Sequence, residues 1–418
     1  MSHILDILEE RELVEQATSP ELRKVLERPT RLYLGFDPTA DSLHLGSFMG
    51  IMVLAHFQRC GHIPYALVGG ATGLIGDPSG KSHERPLLDE AAVAANCRGI
   101  QKNLETVLTF EKGRGALVNN IDWLGKMGLI PFLRDVGKHF RMGPMLGKEM
   151  VRTRLNSEEG LSYTEFSYQL FQAYDFLHLY KEEGVVLQLG GSDQWGNITA
   201  GTELIRKLTG ESAYGLTFPL LVGSDGKKFG KSEGGAIFLS RDRLAPYDFY
   251  QYLVRMPDAD VIKLMKRITF IEMEEIRSWE RKMGEEGYLP NSAQRRLAEA
   301  VTEIIHGRAG VEEAERVTAS VAPGAGEVAL TREALAHVPS VELPKGEVVG
   351  HSLLDLLVQT GLVGSKGEAR RLMANRGVSL NNEKIEDERR VIGKGDLIEG
   401  ELLLLAVGKK KRLVINVA

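Results

Sequence analysis

A buried strand that breaks and turns into a helix limits this chain's folds more than any other feature. Leu32-Tyr-Leu-Gly-Phe36 is a short apolar run that ends at Asp37-Pro-Thr39. A helical stretch of about four turns then runs to Cys60 and stops at Gly61, a residue suited to a left-handed C-cap. Pro64-Tyr-Ala-Leu-Val-Gly-Gly70 reads as a second buried strand, which completes a strand–helix–strand unit and implies a parallel sheet. In open sheets of this kind, ligands bind where strands end and helices begin. His44 and Ser47 stand three apart at the helix start and share a face, and Gly46 between them lets a backbone or a nucleotide come close. The N–H groups and dipole of a helix start favour a phosphate. A capped helix start with an incidental histidine would show the same residues, so the motif alone leaves both readings open.

The next loop, Gly70-Ala-Thr-Gly73-Leu-Ile-Gly76-Asp77-Pro-Ser-Gly80-Lys81-Ser82, invites two assignments that its spacing excludes. A phosphate-binding P-loop needs four residues between its first glycine and Gly-Lys-Ser; Gly76 leaves three, and Pro78 fixes the backbone. Glycines at 70, 73 and 76 also miss the dinucleotide fingerprint. What remains is a loop open to a ligand, or an ordinary tight connection, with Asp77 near a strand's carboxyl end.

Ala116 to Asn120 reads as a third strand, and residues 152 to 163 as a polar surface loop. Tyr163 to Tyr180 is apolar and aromatic; as a helix it places Tyr168, Gln172 and Asp175 on one face. Such a polar stripe either faces water or, if buried, needs partners. Val185-Val-Leu-Gln188-Leu is a further strand, with Gln188 polar inside it and Asp193 and Gln194 just past its end, before a helix through Lys207. The glycine-rich run 223–235 carries Lys227, Lys228 and Lys231, a pattern attractive to phosphate and equally that of a solvated charged loop. Residues 1 to 30 read as amphipathic helix, and 245 to 320 as helices with almost no strand signal. Residues 320 to 348 resemble a linker. Beyond it come a helix from Ser352, a second opened by a capping box at Ser365 and Glu368, and strands over Val378–Ile385 and Leu402–Val417.

Composition narrows the class. A chain of 418 residues with 43% hydrophobic and 26% charged residues is long enough for two or three domains of ordinary globular type. No apolar run reaches the roughly 18 residues a membrane span needs. Only Cys60 and Cys97 are present, which excludes a disulfide framework or a cysteine metal site and fits a cytoplasmic setting. From Gly350 to Ala418 there are 12 Lys/Arg against 9 Asp/Glu, a net of +3, so the remainder carries −8 of the total −5. A basic tail on an acidic body suits a polyanion, or is a solvated terminus.

Taken together, these residues resemble a family. The chain is similar over its whole length to the bacterial tyrosyl-tRNA synthetases, class I aminoacyl-tRNA synthetases. Residues 38 to 47 resemble that family's HIGH signature and Lys228-Phe-Gly-Lys-Ser232 its KMSKS signature. Tyr168, Gln172 and Asp175 and the run Gly191-Ser-Asp-Gln-Trp-Gly-Asn197 are the more specific matches. The resemblance implies an α/β chain in parts: a Rossmann-like parallel-sheet catalytic domain over 1–222, a mobile lysine loop and connection over 223–244, an α-helical anticodon-side domain over 245–320, a linker over 321–349, and a small α+β RNA-binding domain over 350–418. It implies activation of tyrosine by ATP, with Mg2+, to tyrosyl-adenylate and pyrophosphate. The tyrosyl group then passes to the 3′ end of the tRNA for tyrosine. A homodimer, with no membrane contact and no protein-bound metal, is implied with it.

The same resemblance assigns roles. Tyr33 and Asp175 hold the substrate phenol; Tyr168, Gln172 and Asp77, helped by Thr72 and Gln194, hold its ammonium group, with Gln188 supporting the pocket. Gly35, Asp37, Thr39, His44, Gly46, Ser47, Gly191 and Asp193 line the ATP site, with His44, Thr39, Lys228 and Lys231 catalytic and both lysines closing over pyrophosphate. Arg206, Lys207, Arg370, Arg371, Lys409, Lys410, Lys411 and Arg412 face tRNA, and Lys81 and Arg85 are further candidates. Two positions depart from the signatures: Ser47 stands where the second histidine is expected, and Phe229-Gly230 where Met-Ser is expected. The alternative is an RNA-binding protein of synthetase descent that has lost catalysis; the intact His44, Lys228 and Lys231 argue against loss.

Overall fold

The structure, a computed structural model, describes residues 3–79, 87–226, 229–232, 235–320, 330–336, 338–408 and 411–418. By internal contact it forms two units, one of residues 1–245 and 252–307, the other of 246–251 and 308–418.

The first unit is organised by a six-stranded sheet. Its strands are β1 (Gln16–Ala17), β2 (Arg31–Phe36), β3 (Ile63–Val68), β4 (Ala116–Asn119), β5 (Leu187–Gly191) and β6 (Tyr214–Phe218), in the order β1-β6-β5-β2-β3-β4. Every neighbouring pair is parallel except β1 with β6. The chain steps from β2 outward to β3 and β4, then lays β5 on the other side of β2. That reversal between β2 and β5 is the switch point at which such sheets open a crevice. Pairing of Tyr33 with Gln188 across it sets two functional candidates side by side. The helices Tyr163–Glu183 and Trp195–Thr209 cover one face, with Tyr33, Leu67, Phe176, Leu177 and Leu204 in one buried cluster.

Several local readings are revised. Among the described residues of 1 to 30 there are two short helices, Ile4–Glu10 and Leu22–Val25, and β1, whose pairing with β6 no local pattern announces. The stretch 152–163 is not simply a surface loop. Helix Glu149–Leu155 carries Arg154, whose guanidinium donates to both carboxylate oxygens of Glu165 at 3.1 and 2.8 Å and to the Gly160 carbonyl. Both side chains are 3% exposed, so the pair is a buried staple across the turn between two helices. Arg154→Ala is expected to lower stability by about 3–5 kcal/mol, because it strands a buried carboxylate. Replacing both partners by apolar residues is expected to cost far less, and thermal unfolding of the two variants tests this.

The helices of 252–307 pack with the first unit and do not stand apart as the sequence suggests. Arg11, buried in that unit, donates to the carbonyls of Lys266, Thr269 and Ile271 at 3.1, 3.0 and 2.7 Å. The helix Ser292–Ser320 is interrupted at Gly307, where φ is 70° and ψ is 177°.

After the hairpin β7 (Lys231–Ser232) and β8 (Gly235–Ala236) of the first unit come the strands of the second: β9 (Ser340–Leu343), β10 (Val378–Leu380), β11 (Glu383–Lys384), β12 (Leu402–Val407) and β13 (Lys411–Val417). They form one sheet in the order β11-β10-β12-β13-β9. The run Leu402-Leu-Leu-Leu-Ala-Val407 has no polar alternation because both of its faces are covered. Leu403, Leu405 and Val407 pack with the helices Leu353–Gln359 and Lys366–Ala374; Leu402 and Leu404 pack with Tyr247, Val317 and Leu335. Within the stretch read as a linker, Ser340–Leu343 is a strand at the sheet edge, parallel to β13. Ser365 caps its helix by accepting from the Glu368 N–H, while Glu368 accepts from Gly364 rather than completing the box at Ser365.

Candidate active site

β2 delivers Tyr33, Gly35 and then, past its end, Asp37 and Thr39 to the switch point. The backbone runs on as a loop to Leu43, and His44 is the N-cap of the helix Leu45–Arg59, which Gly61 terminates in the left-handed conformation (φ 87°). β5 delivers Gln188 and Gly191, and the turn Ser192–Gln194 opens the next helix. A cleft of about 340 Å³ lies between these ends. It is lined by Tyr33, Gly35, Asp37, Thr39, His44, Gly46 and Ser47 from the first limb, and by Gln188, Gly191, Asp193 and Gln194 from the second. Thr72 and Asp77 reach it from the loop after β3, and Tyr168, Gln172 and Asp175 from the helix Tyr163–Glu183.

One end of the cleft is buried and built around a carboxylate. Asp175 is 2% exposed and accepts from Asn120 Nδ2 at 3.0 Å and Trp123 Nε1 at 2.7 Å. Burial pushes its pKa up to about 7, against the two hydrogen bonds, and the charge of Asp37 adds to the rise. The Tyr33 hydroxyl points to the Gln172 carbonyl at 3.5 Å, and burial and Asp175 hold its pKa well above the usual phenol range. Neither Asn120 nor Trp123 was singled out in the sequence. The Asn119-Asn120 pair at the end of an apolar strand was the available signal, since polar side chains there can reach the switch point.

Beside this lies a chain of amides and carboxylates. Gln194 Nε2 donates to Asp77 at 2.7 Å, Gln172 Nε2 to Gln194 at 3.2 Å, and Asn197 Nδ2 to Gln172 at 3.1 Å and to Ser79 Oγ at 3.3 Å. Asp37 accepts from the Tyr168 hydroxyl and from Thr72 Oγ1, both at 2.8 Å, so its carboxylate joins this set as well as the nucleotide side to which the resemblance assigns it. Two carboxylates, Asp37 and Asp77, thus stand in this set and suit a cation such as an ammonium group. Gln188, 1% exposed, has an Oε1 with no hydrogen-bond partner among the described residues.

The other end is the helix start. A Cβ on Gly46 would lie 2.9 Å from the His44 ring and 3.2 Å from the Phe229 carbonyl oxygen; one on Gly230 would lie 2.7 Å from the Gly46 nitrogen. Two glycines therefore let the Phe229-Gly230 backbone lie directly on the helix start. Ile237 N–H to Gly230 O (2.8 Å) and Leu45 N–H to Ile237 O (2.8 Å) tie the segment after Ala236 to the same place. Lys228 lies outside the described residues, as do Lys81, Arg85, Lys409 and Lys410, and of Lys231 only the backbone, in β7, is described.

The tRNA candidates are scattered. Arg206 pairs with Glu203 in solvent, and Lys207 donates to the His139 carbonyl at 2.9 Å. Arg370 lies 3.4 Å from Glu388. Arg371 is in the last turn of the helix Lys366–Ala374. Lys411 donates to the Leu362 carbonyl, and Arg412 is half-buried, its pKa lowered by desolvation, which makes it a packing residue as much as an exposed cation.

A parallel sheet reversed at β2 and β5, with a glycine-lined helix start at the reversal, defines a mononucleotide-binding α/β protein. Within that class, the chain belongs to the tRNA synthetases of class I (W and Y), whose family model matches residues 24–321. A tyrosine--tRNA ligase SYY-like C-terminal domain matches residues 331–415. The tyrosine--tRNA ligase of Protochlamydia amoebophila is 54% identical over 422 residues, covering 100% of this chain and 99% of the relative. The chloroplastic/mitochondrial tyrosine--tRNA ligase of Arabidopsis thaliana is 50% identical over 428 residues, covering 100% of this chain and 84% of the relative. Among solved structures, a C-terminally truncated mitochondrial tyrosyl-tRNA synthetase of Aspergillus nidulans superposes with a TM-score of 0.67 at 31% identity, over 75% of this chain and 92% of that one.

Proposed function

We propose that the cleft joins tyrosine to ATP and that the chain is a tyrosine--tRNA ligase. The observation that carries the reading is the buried Asp175 carboxylate, oriented by Asn120 and Trp123 beside Tyr33, in the same cleft as the Gln172–Gln194–Asp77 string. A phenol hydroxyl donates to Asp175 and accepts from Tyr33, and the ammonium group settles among the carboxylates. Phenylalanine leaves both buried groups unpaired, a loss that outweighs its easier desolvation.

ATP then lies along Gly35, Thr39, His44, Gly46, Ser47, Gly191 and Asp193, its phosphates at the helix start. The tyrosine carboxylate attacks the α-phosphorus in line, the bond to the bridging oxygen breaks, and pyrophosphate leaves. A carboxylate needs no base to activate it, so the site's work is alignment and neutralisation of charge on the leaving phosphates. That is the task given to His44, Thr39, Lys228 and Lys231. Mg2+ arrives on the ATP phosphates, held chiefly by their oxygens. In the second step the tyrosyl carbonyl is transferred from adenylate to a ribose hydroxyl of the tRNA 3′ end, releasing AMP. The second unit, with Arg370, Arg371 and the basic 409–412 run, is read as contacting RNA, together with Arg206 and Lys207.

A homodimer is part of this reading. Leu129, Ile130, Met142 and Tyr163 expose 57–75% of their surface within one stretch of sequence, which suits a covered face. Cys60 and Cys97 are unpaired, in keeping with the cytoplasmic setting proposed, and no helix among the described residues is long and apolar enough to cross a membrane. The test is exchange of labelled pyrophosphate into ATP without tRNA, with tyrosine, phenylalanine and tryptophan in turn. Exchange with tyrosine alone is expected; no exchange with any of the three, alongside intact RNA binding, would establish the non-catalytic alternative.

A further inference from the structure

Lys148 takes no part in the assignments above, yet its ammonium group is placed between the two helices that carry the amide string. Its Nζ donates to Gln169 Oε1 and to the Gly196 carbonyl, both at 2.6 Å. Gln169 is buried, one residue after Tyr168 and one helical turn before Gln172. Gly196 sits in the first turn of the next helix, between Gln194 and Asn197. The lysine stem lies along Gly196: a Cβ there would stand 3.5 Å from Lys148 Cδ and 3.6 Å from its Nζ. One cation thus links the backbone that positions Gln194 and Asn197 to the helix that positions Tyr168 and Gln172.

We infer that Lys148 is a positioning residue for amino-acid binding: it fixes the start of the Trp195–Thr209 helix against the Tyr163–Glu183 helix, so that Gln172, Gln194 and Asn197 stay in register with Asp77. The inference rests on the reading of that string as the ammonium end of the tyrosine site. Deeper in the interface the same two helices meet through Phe176 at Gly201, an apolar contact that holds spacing but does not orient amides. The orientation comes from directed hydrogen bonds, and those of a cation are the stronger kind. Burial lowers the Lys148 amine to about 8, and among the described residues no carboxylate pairs with it directly. His139, Arg141, Glu203 and Lys207 line the same small cavity.

Lys148→Met keeps the stem and removes the donors. In tyrosine-dependent pyrophosphate exchange without tRNA, it is expected to raise KM for tyrosine about tenfold, the loss of one charged hydrogen bond, with kcat and KM for ATP within about twofold. Lys148→Arg, which keeps charge and donors, is expected to recover most of the loss. Gln169→Leu removes the partner instead, and its effect on tyrosine KM should not add to that of Lys148→Met. An unchanged tyrosine KM in both variants, an equal rise in ATP KM, or a defect confined to tRNA charging would overturn the positioning role. Should Lys148→Met fail to fold, Gln169→Leu carries the same test. Exchange by the parent protein tests the tyrosine site itself, so failure of that reading is seen before any variant is compared.

Discussion

Asp175→Asn is expected to reduce kcat/KM for tyrosine activation by about a hundredfold, the loss of a charged, buried hydrogen bond together with mispairing around it. The mispairing follows from the geometry. Asn120 donates to one carboxylate oxygen and Trp123 to the other. An asparagine offers one oxygen and one amide nitrogen, so one of these donors must face another donor. The substituted side chain therefore loses its negative charge and its fixed orientation together. Because phenylalanine never used the acceptor, its activation should change much less, and the ratio between the two amino acids should narrow. A variant that lost both activities equally would mean that Asp175 supports the fold of the pocket rather than the choice of substrate.

The same substitution has a second expected result, in stability against pH. Asp175 titrates near 7 in the folded chain, and its ordinary value is 3.8. The folded state therefore holds a proton over that interval which the unfolded state has released. The contribution of this group to stability is complete below about pH 4 and is lost as pH rises through about 7. Asparagine carries no such loss. The difference in Tm between Asp175→Asn and the parent should therefore move in favour of the variant between pH 5 and pH 8, whatever its sign at pH 5. A difference that stays flat over that range would show that Asp175 is already ionised at pH 5.

How much of this was legible in the sequence depends on the range of each interaction. The strand, break and helix around His44 are local, and so is the face shared by Tyr168, Gln172 and Asp175; both follow from periodicity and both reach the cleft. Asn120 and Trp123 meet Asp175 across more than 50 residues, and Lys148 meets Gly196 across 48, so no window of sequence contains both partners. Arg154 and Glu165 look like ordinary surface charges until the turn between their helices brings them together. β6 gives a weak signal because Gly215 and Thr217 interrupt the apolar run Tyr214–Phe218, and β9 because Ser340–Leu343 lies in a stretch of loop-like composition and gains its order from β13. Motifs mark where a ligand touches the chain; the residues that orient those motifs carry ordinary sequence signals.

Gly230 shows why a departure from a signature can be a requirement. Its φ of 85° lies in the left-handed region, and the Cβ of an alanine there would stand 2.7 Å from the Gly46 nitrogen. Left-handed backbone costs a residue with a Cβ roughly 1–2 kcal/mol. The overlap is worse, because it falls on backbone at the helix start and no rotamer relieves it. Either the Phe229–Ser232 segment lifts or the His44–Ser47 turn moves, and both separate Lys231 from the helix start. Displacement on the order of 1 Å at a reacting centre is enough for about a hundredfold in rate. Gly230→Ala is therefore expected to slow adenylate formation by about that factor while equilibrium tyrosine binding, made at the other end of the cleft, stays close to the parent's. Gly226 supplies the control: it too is left-handed, at φ 76°, but a Cβ there meets nothing within 4 Å among the described residues. Gly226→Ala should cost the backbone strain alone and leave the rate of activation intact. Equal rates in the two alanine variants would mean that the close approach of Gly230 to Gly46 plays no part in catalysis. A serine at 230, the residue the signature expects, meets both obstacles that alanine meets, so the glycine and the short distance it permits belong to the same device.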